Sequence, residues 1–157
     1  EGGVASRMVW AMPNPIPMGE ELWIYYIGSN KDHDGFVDSV AGGELSGLSR
    51  AVLRVDGFAS LDADREGGEF STPLMRFDGE RLELNVDTGA GGCVQVEVQD
   101  EAGVPIAGFA MDDSIPVCVN STQAVARWKK SAIGALRGRP VKLRFALLDA
   151  RLYAFSI

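Results

Sequence analysis

Three stretches in the second half of the chain alternate apolar and polar residues with a period of two. They are residues 82–87, 94–99 and 141–147. Successive side chains of a β-strand point to opposite faces, so this pattern predicts strands with one buried face and one wet face. No long stretch shows the 3.6-residue period of an amphipathic helix. The chain is therefore predicted to be all-β, with an antiparallel, jelly-roll-like β-sandwich as its main domain.

Turn residues between the stretches predict how the strands connect. Residues 88–92 are rich in glycine, which predicts a hairpin whose arms are residues 82–87 and 94–99. Asp149 is predicted to turn the chain before a last strand that runs to Ile157. Because the sequence stops inside that strand, we expect the C-terminus to be the end of a domain.

The N-terminal part of the chain has a different character. Residues 22–27 form an unbroken apolar run with three aromatic rings, which predicts a strand that is buried on both faces. Only about two strands precede Arg50, and an isolated hairpin is marginally stable in water. We therefore expect the later sandwich or a partner domain to cover this strand. Without such cover, residues 23–27 are predicted to drive homo-oligomerisation or aggregation.

Residues 50–63 join these two parts. They hold two short apolar runs separated by Asp56 and Gly57, a dipeptide typical of turns. We place the domain boundary at the start of this segment, with residues 1–49 in one part and residues 50–157 in the sandwich domain.

Charge and length narrow the classes of partner. The chain has 15 Lys and Arg against 22 Asp and Glu, a net charge of −7, whereas nucleic acids and anionic membranes select basic surfaces. No apolar run reaches the length of about 18 residues that a membrane span requires. We expect neither nucleic acid nor membrane as a partner. The chain begins Glu-Gly-Gly without a signal-peptide pattern, which indicates an excised or processed piece.

The two cysteines, Cys93 and Cys118, permit one disulfide but do not require it. Cys93 precedes a predicted strand and Cys118 lies in a predicted loop, so two separate thiols are favoured. With one histidine and no Cys-x-x-Cys pair, the sequence gives no indication of zinc.

A long polar loop begins at residue 28 and supports two specific interpretations. The first is a calcium loop, because oxygen-bearing residues alternate before Gly35, as in such loops. Its candidate ligands are Asn30, Asp32, Asp34 and Asp38. The match is partial, since Ala41 stands where a bidentate glutamate is expected. The second uses His33, the only histidine, as a substrate contact, and a solvated loop without a ligand is the third possibility.

Sugar binding without catalysis requires exposed aromatic rings beside polar groups. The candidate rings are Trp10, Trp23, Trp128, Tyr25, Tyr26 and Tyr153. The basic neighbours of Trp128 suit a half-exposed position, although core packing is favoured for each ring. Catalysis is not indicated, because 22 acids do not select a glycosidase pair and no Gly-x-Ser-x-Gly motif accompanies His33.

Several segments together carry a resemblance to a known group. They are Gly-Glu-Glu-Leu-Trp-Ile-Tyr-Tyr-Ile-Gly at 19–28 followed by His33, Leu-Arg-Val-Asp-Gly-Phe-Ala-Ser-Leu-Asp-Ala at 53–63, Leu-Asn-Val-Asp-Thr at 84–88, Val-Glu-Val-Gln-Asp-Glu-Ala-Gly-Val-Pro-Ile at 96–106, Arg-Trp-Lys at 127–129 and Gly-Arg-Pro-Val-Lys-Leu-Arg-Phe at 138–145. In this order they resemble the C-terminal part of bacterial invertase- and arabinanase-like glycoside hydrolases, from the last blade of a five-bladed β-propeller into a β-sandwich.

The resemblance implies that residues 1–49 are the remnant of a propeller blade and residues 50–157 the sandwich. It also implies an extracellular or periplasmic location. The catalytic carboxylates of that group lie on early blades, which this chain lacks, so no catalytic residue is carried over. His33 matches at most a position on the rim of the propeller funnel.

On this basis we expect a non-catalytic accessory sandwich that packs on a propeller catalytic domain and stabilises it. The first alternative is a carbohydrate-binding module that contacts polysaccharide through Trp128, Tyr26 and His33. The second is that His33 contributes to a glycosidase active site. No cofactor is expected under these readings, apart from calcium if the loop binds it.

Overall fold

The computed structural model describes residue 5 and residues 7–34 and 46–157. It is all-β: strands make up 57% of it, the described residues contain no α-helix, and the sheets are antiparallel and do not close into a barrel. This confirms the predicted fold class. The chain divides into two compact units, Glu1–Val55 and Asp56–Ile157.

The first unit is an antiparallel sheet of three rows. Its strands are β1 (Met8–Ala11), β2 (Ile16–Met18), β3 (Glu21–Ser29) and β4 (Ser46–Arg54). β3 is central, with β1 and β2 following one another along one edge and β4 pairing along the other. Pro13 and Pro15 separate β1 from β2, since proline cannot donate to a ladder.

The division between the units comes later in the chain than the predicted boundary at Arg50. β4 pairs with β3 along its whole length, from Ser46 opposite Ser29 to Arg54 opposite Glu21. Residues 50–55 therefore belong to the first unit, and the turn at Asp56 begins the second. Asp56 itself has a positive φ of 53°, a conformation that aspartate tolerates in turns.

The second unit is built on two long strands. Its strands are β5 (Leu61–Ala63), β6 (Gly68–Ser71), β7 (Leu82–Gln99), β8 (Ser114–Ile115), β9 (Asn120–Trp128) and β10 (Lys142–Ser156), with 3₁₀ turns at Met111–Asp113 and Ile133–Leu136. The sheet order is β5-β10-β7-β9-β8, and β6 also pairs with β10. β7 has 18 residues and β10 has 15, and the two pair along almost their full length.

This long ladder folds back on itself to make the sandwich. Phe145 and Phe155 lie on the same strand, and a straight strand would separate them by about 33 Å. Their ring centroids are 5.2 Å apart. Likewise, the indole Nε1 of Trp128, on the strand beside the first half of β7, donates to the carbonyl oxygen of Val96 in the second half at 2.9 Å. The two halves of the ladder therefore face each other across one core.

The fold-back occurs where a hairpin was predicted, and the hairpin prediction is wrong. Residues 82–87 and 94–99 do not pair with each other; both pair with β10, in a single strand that runs through the glycine-rich segment. Opposite this segment the register shifts between Leu148 and Ala150, and Asp149 adopts a positive φ of 43°. The glycines thus form a bulge that bends two paired strands together, as at the corners of folded sheets.

The alternation read from the sequence marks the core correctly. Leu82, Leu84, Val86, Val94 and Val98 have no exposed surface, and Val96 is 1% exposed. On β10 the inward positions change from Leu143, Phe145 and Leu147 to Ala150 and Leu152 across the bulge. One inserted residue reverses the alternation of a strand, so the bulge keeps both halves of β10 facing the core.

We expect Gly92→Ala to destabilise the second unit by at least about 2 kcal/mol. A Cβ at this position would meet the carbonyl oxygens of Leu148 and Asp149, the former at 2.7 Å, and neither backbone group can move without breaking the bend. Gly91→Ala is the matched control, because a Cβ there meets nothing within 4 Å. Urea unfolding of both variants measures the difference; equal free energies of unfolding would contradict this account of the bend.

Candidate functional site

The most unusual surface of the chain is one face of the first-unit sheet. In an antiparallel sheet, directly opposed residues place their side chains on the same face. The register therefore groups alternate residues of β3 with their partners on β1, β2 and β4. We name eight apolar members of this group the apolar face: Trp10, Ile16, Met18, Trp23, Tyr25, Ile27, Leu48 and Val52. The same register places the charged residues Glu21, Arg50 and Arg54 among them.

Six of the eight side chains of the apolar face are exposed to solvent, and those of Trp23 and Tyr25 are half-buried. Leu48 is 66% exposed, Trp10 50% and Val52 47%, and Ile16, Met18 and Ile27 are also exposed. Every buried hydrophobic residue among the described residues lies in the second unit. Soluble monomers rarely expose a contiguous apolar surface of this kind unless it contacts a partner or ligand.

The prediction that residues 22–27 are buried on both faces is wrong for this chain. Residues 22–26 are half-buried and Ile27 is exposed. Among the described residues, the strands of the first unit form one sheet, with no second layer of strands within that unit. That another domain or a partner covers this strand stays a prediction.

Polar groups partly cover one aromatic ring of the apolar face. The guanidinium carbon of Arg50 lies 3.7 Å from the centroid of the Trp23 ring, a cation–π contact. The indole Nε1 of Trp23 donates to the Glu21 carboxylate at 2.7 Å. Arg50 therefore occupies one side of the Trp23 ring.

Sequence reasoning missed most of this surface. The run at residues 22–27 was visible, but Ile16 and Leu48 drew no attention, because Ile16 stands between prolines and Leu48 between a glycine and a serine. Val52 was noted only as part of the first apolar run of residues 50–63. A weak signal existed in β4, because the even spacing of Leu48 and Val52 places both on one face of a strand, with Arg50 between them on that face. Only the register places them beside Ile27 and Trp23.

Trp128, proposed as a sugar contact, is buried. It is 5% exposed, its ring lies edge-on to Phe109 at 5.2 Å between centroids, and its Nε1 is bonded to Val96. Core packing, the reading that the sequence favoured, is what the structure has. The half-exposed alternative is wrong, because the side chain points inward between the two layers while its basic neighbours Arg127 and Lys129 point outward.

The other predicted site residues do not converge on one place. Tyr26 is half-buried on the sheet face opposite to the apolar face, and His33 is exposed in a turn. Asn30 is buried at 1% exposure, while the Asp32 carboxylate lies 3.8 Å from the Arg7 guanidinium. Asp34 is exposed. Asp38, with the rest of residues 35–45, lies outside the described residues.

Within the part of the chain that the structure describes, no group of three or more His, Cys, Asp or Glu residues is placed to hold a metal ion. An acidic cleft does exist in the second unit, lined by Asp62, Asp64, Asp87 and Asp149 together with Arg151. Two of its acids have structural partners: the Asp62 carboxylate is 3.5 Å from Arg151, and the Asp64 carboxylate accepts the Glu66 N–H at 2.8 Å.

No family model, curated protein or solved structure matches this chain. Across the described residues, no helix has the length and hydropathy that crossing a membrane would require.

The second unit contains one buried carboxylate, on Glu97. Its side chain is 3% exposed and accepts hydrogen bonds from Gln99 Nε2 at 2.8 Å, from the Met111 N–H at 3.0 Å and from Arg144 at 3.3 Å. Burial alone would raise the pKa of Glu97, but these three donors and the charge of Arg144 outweigh it and lower the pKa. Arg144 also binds Glu69 at 2.6 Å, which holds the guanidinium in place. The group is therefore a structural anchor for the Met111 turn.

We expect acid to destabilise the second unit through Glu97. Because its folded pKa is lowered, its contribution is complete above the unfolded pKa of about 4.5 and is lost as the pH falls from there through the folded pKa. Glu97→Gln should lower the free energy of unfolding by about 2 kcal/mol at pH 7. Below pH 4.5 the variant should lose less further stability than the wild type. Denaturant unfolding between pH 3 and pH 7 tests this. Glu101→Gln, in an exposed turn, is the control. If the stability of Glu97→Gln fell with pH as steeply as that of the wild type, the role given to Glu97 would be refuted.

Proposed function

We propose that the chain is a non-catalytic accessory module of a glycoside hydrolase, and that its first unit docks on a β-propeller catalytic domain. The second unit, with its own complete core, would act as the stable body of the module. The glycoside hydrolase context rests on the resemblance of the sequence segments, and the docking function rests on the apolar face.

The observation that carries the proposal is a three-row antiparallel sheet with an apolar face and no buried hydrophobic residue of its own among the described residues. Propeller blades are small antiparallel sheets that pack face to face around a channel. A sheet of this size without a packed face is marginal in water. A neighbouring sheet with an apolar surface would supply the missing layer at the spacing of about 10 Å usual for packed sheets.

The composition of the face favours docking to protein over binding to sugar. Five of its members are aliphatic or Met side chains, namely Ile16, Met18, Ile27, Leu48 and Val52, and these offer no stacking surface to a sugar ring. Arg50 already occupies one side of the Trp23 ring. A protein interface accommodates such a mixture, since aromatic, Met and Arg side chains are enriched in interface cores.

The isolated chain is expected to self-associate through the apolar face. Light scattering after size-exclusion chromatography should show a mass that rises with concentration, and Leu48→Glu with Val52→Glu should restore a monomer, because buried unpaired carboxylates oppose association. Val104→Glu is the control, since Val104 is 56% exposed on the second unit. A wild-type chain that stays monomeric at high concentration would contradict the proposal.

Docking itself is tested in the longer polypeptide that the proposal implies. Backbone amides of β3 and β4 should exchange hydrogen more slowly there than in the chain alone, while amides of β7 should exchange equally in both. The Leu48→Glu and Val52→Glu pair should remove the added protection. Equal exchange of β3 in the two contexts would show that no propeller covers the sheet.

Carbohydrate binding is the second candidate, favoured by the 50% exposure of Trp10 beside Tyr25 on the same face. Under this reading Trp10→Ala should abolish retardation of the chain in polysaccharide affinity gels, and Leu48→Glu should have little effect. Running the gels with and without calcium also tests Asn30, Asp32 and Asp34 as ligands. Mobility that is unchanged on every polysaccharide would eliminate this candidate.

A further inference from the structure

The two cysteines of the chain, which sequence spacing suggested are separate, lie side by side in the second unit. Val94 and Val117 form an isolated antiparallel bridge and exchange both backbone hydrogen bonds, each 2.9 Å long. The next pair along this register is Cys93 opposite Cys118. Both are free thiols in the structure.

This position in the register is suited to a disulfide. A pair that follows a doubly hydrogen-bonded pair has no hydrogen bonds of its own, and its Cα atoms lie about 4.5 Å apart. Disulfides span Cα separations of about 4.4–6.8 Å. Val94 is buried and Val117 packs on the core, so the alternation directs both thiols to the outer side of the strands.

The two thiols differ in exposure, which sets an order of reaction. Cys118 is exposed, whereas Cys93 is half-buried between Cys118 and its β10 partner Leu148. Burial raises the pKa of the Cys93 thiol, and the neighbouring Cys118 raises it further through its charge and a hydrogen bond. Since the thiolate is the nucleophile, Cys118 is placed to react first with a reagent from solution.

We propose that Cys93 and Cys118 are a redox modification site that forms a reversible cross-strand disulfide with small-molecule disulfides as oxidant. The Cys118 thiolate attacks one sulfur of the oxidant, whose S–S bond breaks and releases one thiolate. Cys93 then gives up its proton to water and attacks the Cys118 sulfur, which releases the second thiolate. In sum, one protein dithiol and one disulfide become one protein disulfide and two small thiols.

The bond would link the two strands beside the glycine bulge. Cys93 directly follows Gly92 of the bulge, and the Cys118 segment leads into β9. Besides the Val94–Val117 bridge, this segment is tied to β7 by a long hydrogen bond of 3.4 Å from Thr88 N–H to the Val119 carbonyl. A covalent link would close a loop of about 25 residues and restrict the unfolded chain.

The test uses the whole chain and oxidised glutathione. After equilibration, mass spectrometry with a thiol-alkylating reagent should find both thiols blocked within a monomer, with no glutathione attached. The melting temperature should rise by about 10 °C and return to its reduced value with dithiothreitol. Two thiols that stay alkylatable, a disulfide-linked dimer as the main product, or a stable double glutathione adduct would each overturn the proposal.

Single variants separate the two thiols. Cys93→Ser should trap glutathione on Cys118 and show no rise in melting temperature, because no resolving thiol remains. Cys118→Ser should react much more slowly, since its remaining thiol is half-buried. Circular dichroism of both reduced variants confirms that they fold. Equal rates of glutathione attachment in the two variants would refute the assignment of Cys118 as the attacking thiol.

Discussion

The hydrogen-bonded ladder between β7 and β10 is the element on which the rest of the second unit depends. It runs from Lys142 opposite Gln99 to Ser156 opposite Glu83, and it bends where Asp149 meets the glycine bulge. A second register shift lies between Leu152 and Ala154. Because both strands bend at the same point, their hydrogen bonds continue into both layers. Two strands thus supply most of the core. β5, β6 and β9 need only pair along the edges of this ladder, and β8 pairs with β9.

The interior of this unit tolerates polar groups because each has a partner. Trp128 satisfies its indole N–H on a backbone carbonyl, and Glu97 accepts three hydrogen bonds. None of the buried side-chain nitrogen or oxygen atoms in the described residues lacks a partner. An unpaired buried polar group costs about 1–3 kcal/mol, so these bonds help to select one arrangement of the two layers.

The two units differ in how far their apolar side chains are buried. The second unit encloses its apolar side chains, whereas the first presents them on a single-layer sheet. Burying one large apolar side chain fully contributes about 1.5–3 kcal/mol, so covering even part of the apolar face offers a partner a substantial driving force. For this reason our proposal places the docking surface on the first unit.

Local patterns in the sequence determined which segments form strands, and long-range pairing determined how those strands are arranged. Alternation alone identified the inward residues of β7 and of the first half of β10, because burial on one face imposes a period of two wherever the partner strand lies. The same alternation could not tell whether the glycines at 89–92 turn the chain or bulge, since that depends on Asp149, far away in sequence. The burial of Trp128, the grouping of Leu48 and Val52 with Trp23, and the meeting of Cys93 with Cys118 are likewise matters of register. Register is set by pairing between distant segments, so the tertiary structure alone decided them.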